Sequence, residues 1–242
     1  MKICIDPGHG GYDSGAVGNG LKEKDITLKL ALKIRDLLKN SCDVILTRDS
    51  DNTPWNSGND LSTRCQIANN AGADYFISIH VNSGGGTGFE NYIADTASSS
   101  SINLGKIIHD NVAAFYKSKG FADRGLKAGH LWVLRRTNMP ATLIENLFID
   151  NPTDAGFLAQ ENNLNDIAFA IANAVCVAFN LPAPQKPVQT TQPTQAQAHW
   201  AQPSFDRLKQ LGIVSDNHNL DSNVTWGEVS ALLDKTLKIL GR

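Results

Sequence analysis

Four polar side chains stand where strand-like runs give way to turns or helices, and together their types describe a metal hydrolase. His9 lies in Asp6-Pro7-Gly8-His9-Gly10-Gly11, directly after a short apolar run. The glycines let the backbone turn sharply and leave the imidazole accessible. Glu23 stands at the start of the first long helical pattern. His80 closes the run Tyr75-Phe76-Ile77-Ser78-Ile79, and Glu145 closes Thr142-Leu143-Ile144. Two imidazoles and one carboxylate, His9, His80 and Glu23, make a three-ligand set that leaves zinc a fourth position for water. Zinc lowers the pKa of such a water and polarises a bound carbonyl. A further carboxylate, not a ligand, must then take the water's proton and pass it to the leaving amine, and Glu145 fits that role. Taken singly, each residue has a plainer reading. Glu23 could be an acid complementing a helix dipole, and Glu145 could pair with a lysine. The combination is the signal, and composition and spacing carry it as far as a zinc hydrolase of unnamed substrate.

The elements that must position these residues follow from the apolar patterning. Short runs rich in Val, Ile and aromatic residues, bounded by Gly, Asn or Asp, predict strands over residues 2–5, 43–47, 75–80, 89–93, 131–134 and 142–145. Between them, Ile26, Leu30, Ile34, Leu37 and Leu38 follow helical spacing within residues 24–39. Residues 101–116 and 164–179 do the same, the latter with a continuous stripe of Leu164, Ile167, Ala168, Ile171, Val175 and Phe179. This alternation predicts an α/β fold: a central twisted, mostly parallel sheet of about six strands flanked by helices. Sites in such sheets gather at the carboxyl ends of the strands, where three of the four residues fall.

The helical pattern stops at Asn180-Leu181-Pro182, which sets a catalytic domain over residues 1–182. Residues 183–198 are rich in Pro, Gln and Thr and read as a semi-extended linker. Residues 199–242 read as a small helical module. Phe205, Leu208 and Leu211 make a helix stopped by Gly212. Thr225 and Glu228 form a capping box for a second helix bearing Val229, Leu232, Leu233, Leu237 and Leu240. About forty residues hold little core by themselves, so packing on the first domain or self-association, a homodimer included, is expected.

With 242 residues, 41% of them hydrophobic, the chain can build its core without disulfides. Cys4, Cys42, Cys65 and Cys176 are scattered and read as mostly buried free thiols. A net charge of -2 lacks the basic excess of a nucleic-acid binder, and no apolar run is long enough to span a bilayer. No basic–apolar–small signal pattern follows Met1, so synthesis in the cytoplasm is expected. Of the remaining histidines, His109 reads as a helix surface or interface residue. His130, in a loop before a strand, is a candidate groove residue, and His199 and His218 fall in the C-terminal module.

Residues 2–180 resemble the zinc-dependent N-acetylmuramoyl-L-alanine amidases of the amidase-3 type. The matching motifs are Asp6-Pro7-Gly8-His9-Gly10-Gly11, then Glu23 opening a helix, then Phe76-Ile77-Ser78-Ile79-His80 with Val81-Asn82, then Pro140 to Glu145. Leu61-Ser62-Thr63-Arg64 with Ala68-Asn69, Val133-Leu134-Arg135 and Phe148-Ile149-Asp150-Asn151 match in the same order. Order and coverage make this far more specific than any one motif. The resemblance implies zinc on His9, Glu23 and His80, with Glu145 as the catalytic residue. It implies a peptidoglycan substrate, cut between the lactyl group of N-acetylmuramic acid and L-alanine by zinc-activated water. Asn146-Leu147 departs from the family, which often has a small residue and Gly there. A zinc carboxypeptidase would need H-x-x-E, but Tyr12 stands where that Glu would be. A wall-binding protein without activity would be favoured by loss of Glu145, which is present.

Residues 199–242 resemble one surface-layer-homology repeat, through His199-Trp200-Ala201, Leu211-Gly212-Ile213-Val214 and Val224-Thr225-Trp226-Gly227-Glu228. Trp226 replaces the family's usual Arg, and residues 215–223 lack its glycines. A secondary cell-wall polymer is the partner this implies; a helical cap or dimerisation element is the alternative. Five basic residues balance five acidic ones from His199 onward, so bulk electrostatics do not drive attachment. The whole arrangement resembles a phage or prophage endolysin, acting on the wall after release through a holin or by cell lysis. Release of a sporulation enzyme on mother-cell lysis is the other route.

Overall fold

The computed structural model describes residues 1–185, 202–214 and 226–239. The chain divides into two compact units, Met1–Lys186 and Pro187–Arg242.

The first unit runs β1 (Lys2–Pro7), a small hairpin β2 (Val17–Gly18) and β3 (Leu21–Lys22), α1 (Glu23–Leu38), β4 (Asp43–Leu46) and α2 (Asp60–Asn70). It continues with β5 (Tyr75–Asn82), β6 (Phe89–Ala94), α3 (Ser99–Ser118), β7 (Asp123–Gly129), α4 (Trp132–Arg136), β8 (Ala141–Phe148), α5 (Pro152–Leu158) and α6 (Glu161–Ala178). Six strands form one sheet in the order β4-β1-β5-β8-β6-β7, parallel except for the antiparallel pair β6–β8. The expected α/β class and sheet size therefore hold.

Two-residue alternation sorts each strand between two faces. Ile3 and Ile5, Tyr75, Ile77 and Ile79, and Ile144 join the main core, where Leu30, Ile34, Val112, Ile167 and Ile171 of α1, α3 and α6 cover them. Cys4, Phe76, Ala141 and Leu143 point the other way and meet Cys65 and Ala68 of α2 and Val133 and Leu134 of α4. Asp6, His80 and Glu145 continue that second register. The four cysteines are free, and Cys4, Cys65 and Cys176 are buried.

One predicted strand is a helix. Residues 131–134 lie at the start of α4, and the sixth strand is β7 at Asp123–Gly129. A four-residue apolar run carries too little periodicity to separate the two states. Val133 and Leu134 are buried, whereas Arg135 and Arg136 complement the negative helix end. β7, with the sequence DRGLKAG, pairs only with β6 and lacks the β-branched residues of a central strand. His109 is likewise corrected: it is 6% exposed, stacked on Phe89 with ring centroids 5.5 Å apart, and its Nε2 lies 3.2 Å from Asp123. It shares the sheet-facing side of α3 with Ile108, Val112 and Tyr116.

In the second unit, α7 (Gln202–Gln210) ends before Gly212, whose φ of 68° closes the helix through Gly212 N–H to Lys209 O and Ile213 N–H to Leu208 O. Helix α8 spans Trp226–Ile239. Thr225, Trp200, His199, His218 and Leu240 lie outside the described residues. No helix among the described residues is long and apolar enough to cross a membrane.

Candidate metal centre

The loop after β1 is built to project His9. Gly8 N–H still bonds Ile79 O at 2.9 Å, so the turn stays on the sheet. A Cβ on Gly8 would come within 2.4–2.7 Å of the His80 ring, so glycine there is what lets the second imidazole in. His9 itself has φ 60°, a left-handed conformation that costs a residue with a Cβ roughly 1–2 kcal/mol. The carbonyl of His9 accepts from Arg64 Nη2 at 2.7 Å, and its Nδ1 meets Asp13 Oδ2 at 2.7 Å, which together hold that conformation. Gly15, also at positive φ, sits where a Cβ would strike both His9 and Glu23.

Arg64 is buried beneath this loop. It donates to Asp6 at 2.8 Å, to Asp60 at 2.5 Å and to the Pro7 carbonyl at 2.8 Å. Asp6 also accepts from Thr47 and Ser78. Burial would raise the Asp6 pKa, but Arg64 and these hydrogen bonds outweigh it and lower it.

Glu23 is the first residue of α1 and is 4% exposed. Its carboxylate lies between the two imidazoles: His9 Nε2 is 3.1 Å from Oε2, and His80 Nδ1 is 2.9 Å from Oε1. The same oxygens accept backbone N–H bonds from Ala16 (2.9 Å) and Val81 (3.0 Å), which fix the carboxylate. One donor atom from each of His9, Glu23 and His80 lies within 4.8 Å of the others. An ion with bonds of about 2.0–2.2 Å can reach all three after small side-chain adjustments. Burial would lower the His9 pKa, yet Glu23 and Asp13 push it up to about 9. Burial would raise that of Glu23, but His80 and His9 hold it well below the carboxylate range. The pocket thus favours positive charge between its walls, and its nitrogen and oxygen donors suit zinc.

Both remaining residues sit inside strands and not at their ends, since β5 runs on to Asn82 and β8 to Phe148. In register, His80 pairs with Glu145 and Glu145 with Glu90, so the three lie side by side across β5, β8 and β6. Glu145 is half-buried, and its Oε2 is buried without a hydrogen-bond partner. Burial, with the charges of Glu23 and Glu90 added, pushes its pKa up to about 7 against the opposing pull of His80 and His9.

Several supporting residues escaped the sequence reading. Asp13, in the glycine-rich turn, orients His9. Asn146 donates to the His80 carbonyl at 3.0 Å and accepts from Tyr116 at 2.9 Å. Glu90 is buried and holds Arg124, Lys127, Tyr92 and Asn82 around its carboxylate. The one visible signal for Glu90 was a charged residue inside an apolar strand. His130 is not drawn into the centre; it is exposed and lies against Asp95 and Arg135. A cavity of about 190 Å³ opens over His9 and His80, walled by Arg64, Leu131, Val133 and Leu143.

Residues 3–177 match the family model for N-acetylmuramoyl-L-alanine amidase. The chain is 46% identical over 184 residues to the N-acetylmuramoyl-L-alanine amidase CwlM of Bacillus licheniformis, covering 75% of this chain and 70% of the relative. It is 45% identical over 184 residues to the endolysin of Bacillus phage SPP1, covering 74% and 66%. The fold superimposes on the catalytic domain of the N-acetylmuramoyl-L-alanine amidase CwlV from Bacillus (Paenibacillus) polymyxa var. colistinus with a TM-score of 0.67, at 34% identity over 75% of this chain and 99% of that one.

Proposed function

Since this chain belongs to the N-acetylmuramoyl-L-alanine amidase family, we propose that His9, Glu23 and His80 hold a zinc ion and that Glu145 moves the proton in its reaction. That reaction is peptidoglycan hydrolysis at the amide joining N-acetylmuramic acid to L-alanine. The observation that carries the reading is the three-donor cluster set one strand away from an unpartnered carboxylate. When bound, zinc supplies Lewis acidity toward the amide carbonyl and toward water.

The protein's own groups do the rest. Asp13 orients His9, and Asn146 fixes the backbone of His80. Glu145, with a pKa near 7, exchanges protons at neutral pH. It takes one from the attacking water as the oxygen–carbon bond forms, and returns it to the alanine nitrogen as the carbon–nitrogen bond breaks. An ordinary exposed carboxylate would be too weak a base and too rarely protonated for both halves.

Residues 199–242 are proposed to anchor the enzyme to a secondary wall polymer, following their resemblance to a surface-layer-homology repeat. A dimerising role is favoured by a different observation: Leu232, Leu233, Leu237 and Ile239 of α8 are all exposed. The relationship to a phage endolysin supports a bacteriolytic role with access to the wall after release from the cytoplasm.

Metal analysis of the purified protein, with mass spectrometry of digested walls, tests the central reading. The expected result is about one zinc per chain and new L-alanine amino termini, both lost on exhaustive chelation and regained with zinc. Full activity after chelation, or cleavage at any other bond, would overturn it.

A further inference from the structure

Beside the cavity over the two histidines lies a second of about 460 Å³. Asp13, Asp60, Leu61 and Trp132 line both, so the two form one continuous cleft leading away from the metal centre. Its outer part carries large apolar side chains that the fold does not cover: Tyr12 is 56% exposed, Leu61 49% and Trp132 48%. These positions are not loose. The Tyr12 hydroxyl donates to Asp60 at 3.1 Å, and the Arg136 guanidinium packs over the Trp132 ring at 5.0 Å. Between them the wall is polar, with Ser57, Asn59 and Ser62.

We infer that this outer cleft binds the glycan strand on the muramoyl side of the scissile amide, with Trp132 and Tyr12 stacking on sugar rings. The inference rests on the amidase reading for its direction and on three features for its occupant. Sugar rings present C–H faces that pack on aromatic rings, and hydroxyl and N-acetyl groups that need polar partners, as this wall offers. The charged side chains lining the outer cavity are both acidic, Asp13 and Asp60. A stem peptide bearing free carboxylates is disfavoured there, whereas a neutral sugar chain is not. Besides Arg64 under the His9 loop and Arg136 on the Trp132 ring, cations gather beyond Glu145, where Arg124 and Lys127 of β7 surround Glu90 at the sheet edge. The cleft is thus polarised about the reacting bond, with sugar toward Trp132 and peptide toward Lys127.

The test compares two substrates with the same stem peptide, one with a single N-acetylmuramic acid and one with a four-sugar chain. Trp132→Ala and Tyr12→Ala should each raise KM for the four-sugar substrate about 5- to 30-fold, the range of an interface anchor. The single-sugar KM should rise by less than the four-sugar KM, zinc content should be retained, and Trp132→Phe should retain most of the affinity. A peptide-free glycan titrated into the full chain reports binding without catalysis. It should bind Trp132→Ala more weakly than the parent by a similar factor, whether or not the amidase reading holds. Equal loss on both substrates, or glycan binding that ignores both substitutions, would overturn the assignment.

Discussion

At the centre, one carboxylate is fixed and another is left free, and this separates their roles. Glu23 has both oxygens tied to backbone N–H groups and faced by imidazoles, as suits a ligand. Glu145 has a buried oxygen with nothing on it, as suits a group that must exchange a proton. Glu145→Gln should therefore retain zinc and the fold while turnover falls roughly 10²–10⁴-fold. Metal content measured beside muropeptide release checks this, and loss of zinc would reassign Glu145 as a ligand. Asp13 bonds His9 Nδ1 and is not itself one of the candidate ligands. Its replacement by alanine should weaken zinc affinity about 10- to 100-fold, read by competition with a chelating dye. If affinity holds, the loop conformation alone orients His9. The four principal residues were legible in the sequence because each falls beside a punctuating motif. Asp13, Asn146 and Glu90 were not, because their partners stand in other strands and turns whose register only the folded sheet sets.

Elements hold the centre through two polar networks. Arg64 of α2 joins Asp6 of β1, its own helix at Asp60, and the carbonyl of His9. Arg64→Leu would strand a buried aspartate and should cost about 3–5 kcal/mol in urea unfolding, with zinc affinity falling as His9 is released. The second network ties β5, β6 and β7 through Glu90. Burial would raise its pKa, but hydrogen bonds from Lys127, Arg124 and Tyr92 bring it down to about 2. In the unfolded chain it titrates near 4.3. Its contribution is thus full above about pH 4.3 and disappears as pH falls toward 2. Glu90→Gln should be less stable than the parent at pH 7 and lose less of its stability across that acid window, measured by denaturant midpoints. Equal slopes would show that Glu90 keeps an ordinary pKa. Helix periods in α1, α3 and α6 were readable because one face of each is continuously apolar. The edge strand β7 was not, since its residues pack on one neighbour only and carry no strand pattern. Leu147 shows another limit: it is buried at φ 68°, where the family often has glycine, and only the backbone reveals that demand.

Across the whole molecule, the division into two units leaves the candidate chemistry entirely in the first. All four principal residues, and Asp6, Arg64 and Glu90 that support them, lie in the first unit, Met1–Lys186. Among the described residues, the main core of that unit is built from its own elements between Ile3 and Leu181 and is closed by α1, α3 and α6. A chain ending after Gln185 should therefore fold, bind zinc and cleave soluble muropeptides at nearly the full-length rate. On intact walls the difference depends on what the second unit does. A tethered polymer-binding module raises the local concentration of the catalytic unit at the wall, a gain of up to about 10²–10⁴ when linker and spacing match. The shortened chain should then be slower on walls, and the gap should close when soluble wall polymer competes with the full-length protein. The exposed leucines of α8 make a rival expectation, because a dimerising face would change mass and not wall affinity. Sedimentation of both chains decides between them. A monomeric full-length protein with faster wall digestion supports anchoring. A dimer that becomes monomeric on shortening, with equal rates on walls and no competition by polymer, would transfer the module's role to assembly.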